Sequence, residues 1–132
     1  MTLVADTRFL LVYSFPADQE ERENIRDLMR KSLRDRLVIP AVVITEYFKT
    51  AGERIGKQGV MNQISLLKDN GANIFAIDEN TASLAGELLH KDMKRSMGCA
   101  LIAATATILH ASHVVSDDPY FHEFNLKTKW IG

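Results

Sequence analysis

The chain has 132 residues, 46% of them apolar and 25% charged, with a formal net charge of −1 and a single cysteine, Cys99. That balance fits one globular domain spanning residues 1–132 with a core of its own, and it excludes both an intrachain disulfide and a global basic field, so any nucleic-acid site must be a local patch. No apolar run approaches the ~18 residues of a membrane span and the N-terminus lacks a secretory leader pattern, so a soluble cytoplasmic protein with no membrane partner is expected.

Residues 2–5 form a short apolar run ending at Asp6, the pattern of a buried strand, and Asp6 or Thr7 then caps a helix over residues 8–14. Residues 18–35 are charged with helical period, Ile25, Leu28, Met29 and Leu33 making the apolar stripe. Residues 37–39 give a second strand, stopped at Pro40, and residues 42–55 a helix that ends at Gly56. Val60, Met61, Ile64 and Leu67 place another helix before Asn70-Gly71. Residues 74–77 read as a third strand, and Asp78 caps a helix over 79–90. Residues 97–110 are small and apolar nearly all round, so this helix is expected to be central and buried. Residues 114–116 make a fourth strand leading into Asp117-Asp118-Pro119, and residues 125–131 offer a fifth. Short apolar strands alternating with helices imply a three-layer α/β/α fold around a parallel sheet of four to five strands. Ligands bind such sheets beyond the carboxyl ends of the strands, at the switch point.

That rule draws attention to the acids. Asp6 follows the first strand, Asp117 and Asp118 follow the fourth, and Glu46 interrupts the otherwise apolar stretch Val42-Val43-Ile44-Thr45-Glu46-Tyr47-Phe48. A carboxylate in such surroundings calls for a cation or a metal as companion. Carboxylates converging at one sheet edge repel each other, and bound Mg2+ or Mn2+ relieves the repulsion while polarising a phosphodiester. Taken singly, Asp6 serves equally well as a helix cap, Asp118 before Pro119 as a turn residue, and Glu46 as a partly exposed helix residue.

Four segments, in order, carry a resemblance. They are Leu3-Val4-Ala5-Asp6-Thr7-Arg8-Phe9-Leu10-Leu11, Ile39-Pro40-Ala41-Val42-Val43-Ile44-Thr45-Glu46, Ala100-Leu101-Ile102-Ala103-Ala104-Thr105-Ala106 and Val114-Val115-Ser116-Asp117-Asp118-Pro119-Tyr120-Phe121. Together they span nearly the whole chain, and the sequence resembles PIN domains of the VapC type. The resemblance implies a metal-dependent ribonuclease, with Asp6, Glu46 and Asp118 as catalytic, metal-ligating acids for Mg2+ or Mn2+. It implies supporting roles for Thr7 in the turn beside Asp6, for Ser116 as the hydroxyl of the site, and for Asp117 beside the motif acid. It further implies an RNA substrate, a small antitoxin protein as partner, and a homodimer.

The sequence departs from that pattern at two positions. Cys99 stands where relatives carry an aspartate, and Arg8 where a small polar residue is common. Both changes make the site less negative, which weakens a Mg2+ site built on anionic oxygens. Cys99 reads as a small apolar residue on a tightly packed helix, with a zinc-type thiolate ligand as the other option. Arg8 either turns to solvent or pairs with Asp6 or Glu46 and occupies the metal's place, as basic side chains of the family's antitoxins do. A PIN fold that binds RNA or a protein without cutting is therefore the competing expectation.

Two basic groups remain. Lys91, Lys94 and Arg95, just before the Cys99 helix, are candidates for contact with the RNA backbone. Arg22, Arg26, Arg30 and Arg34 recur at four-residue spacing; they offer a phosphate-binding stripe, but read rather as a solvated face with local ion pairs, Asp18 with Arg22, Glu23 with Arg26, and Asp27 with Arg30 or Lys31.

Overall fold

The computed structural model describes residues 1–131. Its strands are β1 (Thr2–Ala5), β2 (Arg36–Pro40), β3 (Asn73–Phe75), β4 (His113–Val115) and β5 (Thr128–Lys129). Its helices are α1 (Thr7–Ser14), α2 (Gln19–Arg34), α3 (Ala41–Asp69), α4 (Glu79–Lys91) and α5 (Met97–Ile108), with a 3-10 turn over Pro119–Phe124 that the sequence pattern did not announce. All five strands are parallel, in the order β3-β2-β1-β4-β5. The chain builds outward from β1 to β2 and β3, then crosses back to the other side of β1 for β4 and β5. The reversal between β1 and β4 is the switch point of the sheet. Crossovers in parallel sheets are right-handed almost without exception, and a change of direction in the strand order then sends helices to both faces, the three-layer sandwich expected. No helix among the described residues is long and apolar enough to cross a membrane.

The core follows from the strands being apolar on both faces. Leu3, Val4, Ala5, Leu37, Ile39, Val114 and Val115 are at most 1% exposed, the pattern of a sheet covered on both sides. The small residues of α5 have the use their composition implies: Gly98, Ala100 and the run from Ile102 to Ala106 are all buried, letting this helix lie close to the sheet and to α4. Ile25 and Met29 bury the stripe of α2, while Leu28 and Leu33 are only partly covered.

Helix starts are fixed by side-chain caps. Asp6, Asp18, Asp78 and Ser96 each accept a backbone N–H of the first turn of α1, α2, α4 and α5. The helix expected to end at Gly56 and the one expected around residues 60–67 run on as one element, α3, kinked where Gly56 takes φ 71° and ψ 172°. Only glycine adopts that backbone region readily, and nothing lies within 4 Å of a side chain built there, so the requirement is purely conformational. Gly56→Ala is expected to lower stability by about 1–3 kcal/mol in urea titration, the usual cost of such strain; an unchanged midpoint would mean that the two halves of α3 merge into a straight helix at no cost.

Candidate active site

The carboxyl edge of β1 and β4 holds a single chain of hydrogen bonds. The backbones of β1, β4 and β5 are registered there, with Asp6 N–H donating to the Val115 carbonyl (3.2 Å) and Ser116 N–H to the Lys129 carbonyl of β5 (3.0 Å). Asp6 is 8% exposed and Ser116 wholly buried. The Ser116 hydroxyl donates to Asp6 Oδ2 (2.5 Å) and accepts from the Asp118 backbone N–H (3.0 Å). Asp6 Oδ1 accepts from Thr7 N–H (2.7 Å), and the Thr7 hydroxyl donates in a short bond to Glu46 Oε1. Asp118, Ser116, Asp6, Thr7 and Glu46 are thus linked in sequence, although they come from three distant stretches of chain.

The bland expectations for the acids are also met. Asp6 caps α1, and Asp118 caps the 3-10 turn by accepting from Tyr120 N–H (2.9 Å). Capping uses one oxygen of Asp118 and leaves Oδ2 with only the Cys99 thiol, at 3.9 Å. Glu46 lies against the first turn of α5. A methyl built on Gly98 would sit 2.7 Å from Glu46 Cδ, so only glycine admits the carboxylate at this place.

The three acids line one open cleft of about 630 Å³ together with Thr7, Arg8, Cys99 and Asp117. Burial pushes the Asp6 carboxyl above its usual range; the Ser116 and Thr7 hydrogen bonds oppose this, while the nearby charges of Asp118 and Glu46 add to it. Burial also pushes the Cys99 thiol up, and the same three carboxylates reinforce the shift against the bond to Ser96. Both effects favour the neutral thiol. The remaining donors are carboxylate oxygens carrying mutual repulsion, and in kind and charge they fit Mg2+ or Mn2+. They are not gathered into a ready-made cage: among the described residues no three His, Cys, Asp or Glu side chains stand together closely enough to hold an ion.

The structure decides among the readings left open for the basic residues. Arg8 does not pair with Asp6 or Glu46. Its Nε binds Asp117 at 2.8 Å, its guanidinium lies 5.9 Å from the centre of the Trp130 ring, and its side chain is 57% exposed. Asp117 is accordingly paired with Arg8 while still lining the cleft beside Asp118. Lys91, Lys94 and Arg95 do not line the cleft: the lysines are exposed elsewhere, and Arg95 is bound by Asp92 (3.3 Å) and Glu123 (2.8 Å) while stacking 4.4 Å over Tyr120. Lys49 and Thr50, which the sequence reading passed over, do line it. They lie three and four residues after Glu46 on α3, the spacing that puts side chains on one helix face.

A PIN-domain model matches residues 3–126. No curated protein matches the chain in sequence. Among solved structures it is similar to VapC20 of Mycobacterium tuberculosis, a sarcin-ricin loop cleaving toxin, at TM-score 0.78 and 13% identity over 94% of this chain and 95% of that one. It is similar to VapBC2 of Rickettsia felis bound to a promoter DNA fragment, at TM-score 0.79 and 14% identity over the full length of both chains. It is also similar to FitAcB of Neisseria gonorrhoeae, at TM-score 0.71 and 16% identity over 96% and 95%. Those likenesses concern the fold, and the match that covers nearly the whole chain settles its descent: the protein belongs to the PIN-domain family.

Proposed function

We propose that this protein is a divalent-metal-dependent endoribonuclease, the toxin of a toxin–antitoxin pair acting in the cytoplasm. The observation that carries the reading is the hydrogen-bonded chain from Asp118 through Ser116, Asp6 and Thr7 to Glu46, which places three carboxylates around one cleft at the switch point. The solved structures it resembles agree with this: one is a toxin that cleaves the sarcin-ricin loop, and others are VapBC pairs. Exposed Met61 and Leu66 on α3 offer apolar surface for a second copy, in keeping with a homodimer.

Asp6, Glu46 and Asp118 would hold Mg2+ or Mn2+. When bound, such an ion supplies Lewis-acid polarisation of a phosphodiester. The protein's own groups do the positioning. Ser116 fixes Asp6 and the Asp118 backbone with one hydroxyl, Thr7 orients Glu46, and Gly98 leaves room for its carboxylate. Lys49 on the cleft wall brings a positive charge to a site lined by four carboxylates. The neutral Cys99 thiol beside Asp118 removes the charge an aspartate would add there. That substitution favours the second reading, a PIN fold that binds RNA or a protein without cutting.

Mn2+ calorimetry and RNA cleavage, run side by side, separate the two. For a nuclease, Mn2+ binds the unmodified protein, chelation stops cleavage, and Glu46→Gln lowers the rate by about a hundredfold or more, the scale of losing several kcal/mol of Lewis-acid stabilisation. If Mn2+ binds only after Cys99→Asp, and RNA is cut only then, the binding reading holds.

Gly98→Ala tests the placement of Glu46. Alanine is the better helix former by about 1 kcal/mol, so thermal stability is expected to change little while cleavage falls. Cleavage at the unmodified rate would show that Glu46 need not occupy its place against α5.

A further inference from the structure

A second cleft, separate in its lining from the acidic one, opens beside α2. It measures about 350 Å³, and Tyr13, Arg26, Arg30, Arg34 and Asn70 line it above the buried side chain of Met29. No acidic residue contributes to it. The arginines stand at i, i+4 and i+8 of one helix, so they follow each other about 6 Å apart along its axis.

The local ion pairs expected for this row are mostly absent. Asp18 is used as the cap of α2, accepting from Glu21 N–H (2.8 Å), and Glu23 accepts from the Gln19 amide (3.2 Å). Asp27 alone pairs, with Arg30 and with Lys31. Among the described residues Arg26 and Arg34 meet no carboxylate at ion-pair distance, and both are exposed. Two free guanidiniums and a third shared one therefore face a concave space that also offers an amide and a phenol.

We propose that this cleft anchors the phosphate backbone of single-stranded RNA, away from the acids that would act on it. The inference rests on the ribonuclease reading and gives it a way to hold its substrate. The chain is −1 overall, so no global field gathers a polyanion. The acidic cleft sets four carboxylates against Arg8 and Lys49, and Arg8 is already bound to Asp117. Arg95, the expected backbone contact, is neutralised by Asp92 and Glu123. Attraction for RNA must then come from elsewhere, and the α2 cleft supplies it as planar guanidinium forks, which suit phosphate oxygens better than point charges do. Their spacing along the helix is of the order of that between neighbouring phosphates of an extended strand.

The test is fluorescence anisotropy of a short labelled oligouridine on the full chain, in chelator so that nothing is cut, over a range of salt concentration. Arg26→Gln with Arg34→Gln is expected to weaken binding about tenfold or more and to flatten the logarithmic salt dependence by about 1.4, the counterion release of two single-strand phosphate contacts. Each single substitution is expected to show a smaller loss of the same kind. Arg22→Gln removes the same charge from the same helix outside the cleft, and is expected to leave affinity within about twofold, as a non-contacting surface charge does. Unmodified affinity in the double variant overturns the proposal. So does a loss in Arg22→Gln equal to that of either cleft arginine, which would mean general charge, or displacement of the RNA by oligoglutamate as readily as by unlabelled oligouridine, which would mean an acidic protein segment. The nuclease reading fails separately: RNA held by the arginines but left whole with Mn2+ sinks that reading and keeps the anchor, whereas unmodified cleavage rate and KM in the double variant sink the anchor and keep the nuclease.

Discussion

A carboxylate that is 8% exposed, with two further acids near it, is the group around which this molecule is arranged. Asp6 remains in place because both its oxygens are occupied, one by the backbone of the helix it caps and the other by the buried hydroxyl of Ser116, 110 residues away in sequence. Leaving such a group without partners costs several kcal/mol. The pairing of β1 with β4 is therefore more than a sheet contact: it is what delivers Ser116 to Asp6. From Asp6 the constraint passes outward, through Thr7 to Glu46, and through Glu46 to the glycine at position 98. A change at any of these positions is felt at the others, because each donor or acceptor is used by the next.

Cys99 stands within that arrangement, at the place where the family resemblance leads one to expect an acid. The thiol touches Asp118 only at the loose distance of a sulfur contact, and burial together with the surrounding carboxylates keeps its proton on. It adds bulk without charge. The pocket loses part of its negative field and keeps its shape, since Cys99 still packs against the core cluster and its backbone N–H still meets the Ser96 cap. Arg8 adds less to that loss than its position in the sequence implies, because Asp117 draws its guanidinium aside over Trp130.

Much of the fold was legible because its signals are local and redundant. Short apolar runs and aspartates just before helices each speak for themselves, and the first four strands lie where the runs predict them to within a residue or two, the fifth being shorter than its run. The acids were legible through their position after strands. The details of pairing were not, because they depend on which partner wins in three dimensions. Asp117 competes for Arg8, Asp18 is consumed as a cap before it can meet Arg22, and Glu123 reaches Arg95 from 28 residues away. Lys49 had a usable signal, its helical spacing from Glu46, but nothing in composition distinguishes it from an ordinary surface lysine. The 3-10 turn after Asp118 is encoded in Pro119 and the capping acid, and it was hidden by the shortness of the segment.

The sheet ends at both sides in strands of only three and two residues, β3 and β5. Edges this short offer almost no unpaired backbone to a neighbouring chain, and short edge strands are one of the ways natural proteins avoid edge-to-edge joining. Fusion of the sheets of two copies into one continuous ribbon is therefore disfavoured. Self-association has to run through helix faces, where side-chain shape selects the partner, and the folded chain gives strand-addition aggregates little to grow from.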